Sequence, residues 1–166
     1  MVELLSTARL QLHRGFDLWQ AQQQVPYYRE LGITHLYLSP IAEARTGSTH
    51  GYDVTDPTVV RAELGGEAAL RALADALHGH EMGAILDIVP NHMAADASNP
   101  WWRDVLRRGP GSRHARFFDI DWDAPASPGR VWLPWLKGPL HEVLARGELR
   151  IDRSGEPQLC HADWRL

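Results

Sequence analysis

Two short stretches of this chain concentrate the side chains that could do chemistry. One is Asp87-Ile88-Val89-Pro90-Asn91-His92, a carboxylate inside an apolar run that ends in a proline, an amide and an imidazole. The other is His50-Gly51-Tyr52-Asp53, where an imidazole, an aromatic ring and a carboxylate share four positions, with Asp56 close behind. A carboxylate in an apolar run needs donors, because an unpaired buried charge neutralises or destabilises the fold. Asn91 and His92 follow the run, at the end of a strand where parallel α/β folds place their ligands. One chemistry open to these groups is metal-dependent hydrolysis, with His50, Asp53, Asp87 and His92 as ligands and stoichiometric zinc or manganese as the expected result. His78 and His80 form a further His-x-His pair, but they fall at a helix end, where a favourable dipole interaction is the simpler account. Asp53 and Asp56 serve equally well as turn formers.

The elements that must position these groups follow from pattern. Gly83 to Val89 is apolar almost throughout and bounded by Gly and Pro, which predicts a parallel strand covered on both faces. Ala8 to Leu12 alternates as a strand, and Asp17 is a helix N-cap. Leu18, Ala21, Val25, Tyr28 and Leu31 lie on one face of a helix that Pro26 must kink or restart. Gly32 closes it, and Thr34 to Leu38 is a second strand. Residues 41–65 are too long and polar for a simple connection, which predicts a functional loop. A helix from Glu67 to about His78 then leads to the third strand, completing β-α-β-α-β with parallel neighbours. After His92 the rhythm changes. Asn99-Pro100 starts a short helix over Trp101 to Arg108, Phe117 to Trp122 reads as a strand, His141 to Arg146 as a helical turn, and Leu149 to Cys160 as a hairpin turning at Ser154-Gly155.

Composition narrows the field. The chain has 166 residues, 44% of them hydrophobic, enough for one respectable core. Its net charge of -4 argues against nucleic acid as the main partner, so the basic run Arg103 to Arg116 reads as a solvated face. No apolar run approaches a membrane span, and the single cysteine, Cys160, cannot form an internal disulfide; both fit a cytoplasmic protein with no membrane partner. Six of the seven tryptophans lie at or beyond position 101, which separates the chain into halves of different chemistry. Adjacent Trp101 and Trp102 face different ways on a helix and are expected to pack the second half.

The motifs resemble a family. Leu36-Tyr37-Leu38-Ser39-Pro40, His50-Gly51-Tyr52-Asp53 and Asp87-Ile88-Val89-Pro90-Asn91-His92, in this order and spacing, are similar to the α-amylase superfamily of glycoside hydrolases. Within it, Thr46 to Asp53, Asn99 to Leu106, Phe117 to Trp122 and the stretch from Leu133 to Leu149 resemble the maltooligosyl trehalose synthases, although Trp132 and Trp135 depart from the expected pattern. The resemblance implies an α/β chain, a partial (β/α)8 barrel with its first three βα strands in residues 1–92 and a truncated insertion subdomain after the third strand in 93–166. It implies an enzyme that isomerises the reducing-end α-1,4 linkage of a maltooligosaccharide to α,α-1,1, by retaining double displacement.

Carried over residue by residue, Tyr52 would stack on the sugar and His92 would hydrogen-bond its hydroxyls, with His50, Asp53 and Asn91 as further substrate-binding residues. Asp87 would hold the architecture. Asn91 matches a calcium ligand of many amylases, but the synthases imply no metal and no cofactor. The nucleophile, the acid/base and the third carboxylate belong to the fourth, fifth and seventh strands, so no catalytic residue is assigned here. Arg150-Ile151-Asp152 imitates the nucleophile's Arg-x-Asp only superficially, since a hairpin turn follows it. The expectation is an amino-terminal fragment, inactive alone, whose partners are an α-glucan and the remaining strands of the barrel. The alternatives are a non-catalytic α-glucan-binding module or another glycosidase or transglycosylase of the superfamily.

Overall fold

Alternation in the opening segment produces a strand at Thr7–Leu10 (β1), whose Leu10 is buried. The computed structural model describes residues 2–133, 136–155, 158–161 and 164–165, and divides into two units, Met1–Ala94 and Ala95–Leu166. Asp17 caps the first helix, Leu18–Gln23 (α1), through a reciprocal box: the Gln20 amide donates to Asp17 Oδ1 at 2.9 Å, and the Asp17 amide donates to Gln20 Oε1 at 2.9 Å. Pro26 restarts the helix rather than kinking it. A second helix, Val25–Glu30 (α2), carries the proline in its first turn, where no backbone N–H is missed. The break moves Leu31, expected on the apolar face, to the C-cap, where it is 58% exposed.

The strand His35–Leu38 (β2) follows. The segment expected as a loop contains an antiparallel pair, Ala42–Ala44 (β3) and Val54–Val60 (β4). Its register runs Ala44↔Val54, Glu43↔Asp56, Ala42↔Val60, so the extra residues around Pro57 bulge out of the ladder. A bulge is where a strand tolerates a residue without an N–H, and that proline hides the strand from a pattern reading. Gly66–Gly79 (α3) buries Ala69, Leu73 and Leu77, and leads to Gly83–Leu86 (β5).

β1, β2 and β5 form a parallel sheet in that order, with Leu10, Leu38 and Leu86 in one row. Leu10, Leu36 and Leu38 pack with Leu18, Ala21, Val25, Leu73 and Leu77 of the helices in a single core. The expectation that Gly83 to Val89 is covered on both faces is corrected. The strand stops at Leu86, β5 is an edge, and Leu86 and Ile88 are 44% and 71% exposed. The helices of this unit pack on the face bearing Leu10, Leu36 and Leu38; the other face carries Arg9, Tyr37 and Ile85 in register.

In the second unit Asn99 Oδ1 accepts the amides of Trp101 and Trp102 at 2.9 and 3.1 Å, capping Pro100–Arg108 (α4). Phe117 to Trp122 is not a strand. A 3-10 turn at Ala115–Phe117 gives way to irregular chain, because its aromatics are anchored one by one: Phe117 meets Trp101 at 4.9 Å and Phe118 meets Trp102 at 5.1 Å between ring centroids. The two tryptophans do face different partners. Leu140–Ala145 (α5) precedes an antiparallel sheet of Leu149–Asp152 (β6), Gln158–His161 (β7) and Trp164–Arg165 (β8), the last strand unforeseen in the sequence. Asp152 ends β6, and its Oδ1 accepts the Ser154 amide at 2.9 Å, a local Asx contact where the chain leaves the strand. Trp135 lies outside the described residues.

The reciprocal cap makes Asp17→Ala cost about 1 kcal/mol, read as a lower urea midpoint at unchanged slope, whereas Asp17→Asn, which keeps the acceptor, stays within a few tenths of the parent.

Candidate functional site

Three segments distant in sequence meet at Asp87. The strand β5 ends at Leu86, and the Asp87 amide extends the ladder by donating to Leu38 O at 3.0 Å, which fixes where its carboxylate points. Asp87 Oδ2 accepts the Tyr52 hydroxyl at 2.5 Å and pairs with Arg9 Nη1 at 3.0 Å. Arg9 Nη2 donates to the Tyr52 hydroxyl at 3.1 Å, closing a triangle. The Arg9 guanidinium also lies over the Tyr37 ring, 4.5 Å from its centroid. The predicted need of Asp87 for donors is thus met by Tyr52 and by Arg9, a residue that its own segment marks only as part of a strand. Its signal was alternation: Arg9 is on the face of β1 away from Leu10, level with Tyr37 and Ile85 and two rows short of Asp87.

The electrostatics follow. The Tyr52 hydroxyl holds the Asp87 carboxyl below the ordinary carboxylate range, helped by Arg9 and opposed by desolvation. Donation to that carboxylate, with some desolvation, raises Tyr52 above the usual phenol value, and the Arg9 cation partly offsets this. Tyr52 is therefore a neutral phenol near pH 7, with 37% of its surface exposed.

The loop that presents Tyr52 is tightly held. Gly51 adopts φ +79°, and a Cβ there would stand 2.7 Å from Pro40 O, so neither the backbone nor the space admits a side chain. Ser48 Oγ accepts the Gly51 amide at 3.1 Å and donates to Asp53 Oδ1 at 2.5 Å, while Gln11 Nε2 donates to Thr49 O at 3.0 Å. Asp53 accordingly serves the turn. The Tyr52 amide donates to His50 Nδ1 at 3.0 Å, which leaves the His50 proton on Nε2, and the two rings stack 6.0 Å apart at 21°. At the base of the loop Arg61, fully buried, pairs with Glu63, and Glu63 accepts the Gly47 amide through both oxygens at 3.1 Å. Arg61 and Glu63 carried no sequence signal that would distinguish them from surface charges.

Not all the predicted residues converge. Asn91 Oδ1 and His92 Nδ1 are 3.0 Å apart, both side chains are exposed, and among the described residues no hydrogen bond joins either to Tyr52, Asp87 or Arg9. Among the described residues no three His, Cys, Asp or Glu side chains are grouped to hold a metal ion, so His50, Asp53, Asp87 and His92 do not form the ligand set of a metal-dependent hydrolase here. His80 Nδ1 lies 2.9 Å from Ala76 O at the end of α3, a local contact of a helix terminus. A concavity of about 370 Å³ in the second unit, lined by Arg113, Arg116, Phe118 and Trp122 among others, contains none of the site residues.

A parallel sheet whose strand ends carry an aromatic loop, a carboxylate and an Asn-His pair defines a class, and comparison agrees. The chain belongs to the α-amylase family: the profile described as alpha amylase, catalytic domain, matches residues 15–137. Within that family it is similar to maltooligosyl trehalose synthases. A Mycobacterium tuberculosis protein provisionally named as one is 47% identical over 140 residues, 80% of this chain and 18% of the relative. The structure of maltooligosyltrehalose synthase from Arthrobacter ramosus superposes with a TM-score of 0.83 at 42% identity, over 97% of this chain and 20% of that one. A further crystal structure of a maltooligosyl trehalose synthase gives 0.88 at 38% identity, over 100% of this chain and 22% of that one. The chain therefore spans about one fifth of the length of these relatives.

Two outcomes follow from the geometry. Because Asp87 is held below its ordinary value, its contribution is fully present above about pH 4 and is lost as the pH falls through its lowered folded value. Asp87→Asn should lower the melting temperature at pH 7, and the gap from the parent should close as the pH falls below about 4. Gly51→Ala should cost about 2 kcal/mol in urea denaturation and change the Tyr52 environment seen by near-ultraviolet circular dichroism.

Proposed function

We propose that this chain forms the first three βα strands of a (β/α)8 barrel of the maltooligosyl trehalose synthase type, together with part of an insertion that follows the third strand, and that it supplies one wall of a maltooligosaccharide site. The observation that carries this reading is the Tyr52 ring, exposed beside His50 yet anchored through its hydroxyl to Asp87 and Arg9 at the strand ends. An aromatic face packs on the apolar face of a pyranose while neighbouring polar groups take its hydroxyls. His50, with its proton on Nε2, and the exposed Asn91-His92 pair are the groups proposed to do so. Asp53 acts through the loop, and Asp87 through Tyr52.

The reaction of the whole enzyme would be isomerisation of the reducing-end α-1,4 linkage to α,α-1,1. One carboxylate attacks the anomeric carbon, a second protonates the departing glycosidic oxygen, and a hydroxyl of the same released glucose then takes the glycosyl group from the covalent intermediate. Asp87 is assigned neither role, because its Oδ2 is held by both Tyr52 and Arg9 and its carboxyl is kept below the ordinary range. The nucleophile, the acid/base and the third carboxylate of the family are proposed to lie on later strands of the barrel, and residues 1–166 alone are expected to form no trehalose-capped product from maltopentaose.

A second reading, a non-catalytic α-glucan-binding module, has one observation in its favour: the Arg9-Asp87-Tyr52 triangle is completed by residues of this chain alone. Calorimetry with maltopentaose separates the two. Heat of binding that disappears in Tyr52→Ala, in a stably folded chain, supports the module; absence of binding together with strong binding of an apolar dye supports an incomplete barrel. Formation of a non-reducing product by the purified chain would overturn both.

A further inference from the structure

We propose that Arg9, on β1, is a positioning residue of the carbohydrate site, fixing the plane and tilt of the Tyr52 ring by bridging its hydroxyl and Asp87. The inference rests on the reading of Tyr52 as a sugar platform. A tyrosine is held by its backbone and by its hydroxyl. The backbone side is set by Gly51 against Pro40 and by the Tyr52 amide on His50 Nδ1. The hydroxyl has one proton and two lone pairs; the proton goes to Asp87 and one lone pair receives Arg9 Nη2. With Asp87 alone, the phenol could pivot about a single hydrogen bond. With Arg9 joined to both partners, the oxygen is fixed from two directions.

Arg9 is suited to this because its own position is over-determined. Its Nη1 is 3.0 Å from Asp87 Oδ2, its Nη2 is 3.1 Å from the Tyr52 oxygen, and its plane rests on Tyr37, its register neighbour on β2. Two donors on one planar fork can serve both oxygens, whereas a lysine ammonium supplies charge without that geometry. A side chain ordered before the ligand arrives spares the ligand that ordering cost, which corresponds to roughly a three- to tenfold gain in affinity.

The test compares Arg9→Met, which keeps much of the aliphatic stem, with Arg9→Lys, which keeps the charge. Maltopentaose affinity is measured by calorimetry, and the Tyr52 ring is followed by NMR of chain carrying 13Cζ-labelled tyrosine, with its signal assigned through Tyr52→Phe. Arg9→Met should weaken maltopentaose roughly three- to tenfold while the chain stays folded, and should move the Tyr52 titration to higher pH, because the opposing cation is gone. Arg9→Lys should return the titration toward the parent without restoring affinity, a split that a merely stabilising ion pair would not produce. Unchanged affinity in both variants, with binding lost in Tyr52→Ala, overturns the proposal. If the parent does not bind maltopentaose, as expected of an incomplete barrel, the Tyr52 signal decides alone: a signal moved by Arg9→Met and returned by Arg9→Lys supports the clamp, and one unmoved by either variant overturns it. If Arg9→Met does not fold, Arg9→Lys with parent affinity is the overturning result.

Discussion

The hydrogen bond from Tyr52 to Asp87 joins the end of a sheet strand to a loop 35 residues earlier, and Arg9 ties both to the first strand, 43 residues before Tyr52. Each group in the triangle explains another. The carboxylate is tolerable because it has two donors, the phenol stays protonated because it donates to an anion, and the guanidinium is held because two oxygens and a ring face it. Three charged or polar side chains that would each be an ordinary surface group together make a defined surface at the ends of β1 and β5.

That surface depends on a loop that does not behave as one. Residues 41–65 are tied into a bulged β3-β4 pair, with Gly51 pressed against Pro40 and the Glu63 carboxylate gathering the Gly47 amide. Arg61 beneath it is a costly device. Its side chain is fully buried, and its Nε and Nη1 have no hydrogen-bond partner among the described residues. A buried cation whose fork is only partly satisfied lowers stability unless its anionic partner stays in place, which makes the Arg61-Glu63 pair a constraint on the loop.

The sheet itself is asymmetric. Its helix-facing side is a close leucine and alanine core, while the opposite side bears Arg9 and Tyr37, and Ile88 just beyond the edge strand is exposed. Gly83 belongs to this side too: a Cβ there would stand 2.4 Å from the His35 ring, so glycine at the start of β5 makes room for that side chain. An open edge with apolar residues is a template for further pairing.

Local chemistry was legible in the sequence wherever neighbours in the chain decide the outcome. The Asp17 and Asn99 caps, the restart at Pro26 and the hairpin after Leu149 all follow from hydrogen bonds or sterics within a few residues. The motifs around Tyr52 and Asp87 also marked the family. Tertiary structure alone decided what satisfies Asp87, since Arg9 and Tyr52 reach it only after parallel register aligns β1, β2 and β5. It also decided that Phe117 to Trp122 packs ring by ring instead of pairing as a strand, and that the Gly83 to Leu86 run is an edge. Period and composition report which side chains are apolar. They do not report how many neighbours a strand has, or which distant cation will find a carboxylate, because both are set by contacts between segments far apart in the chain.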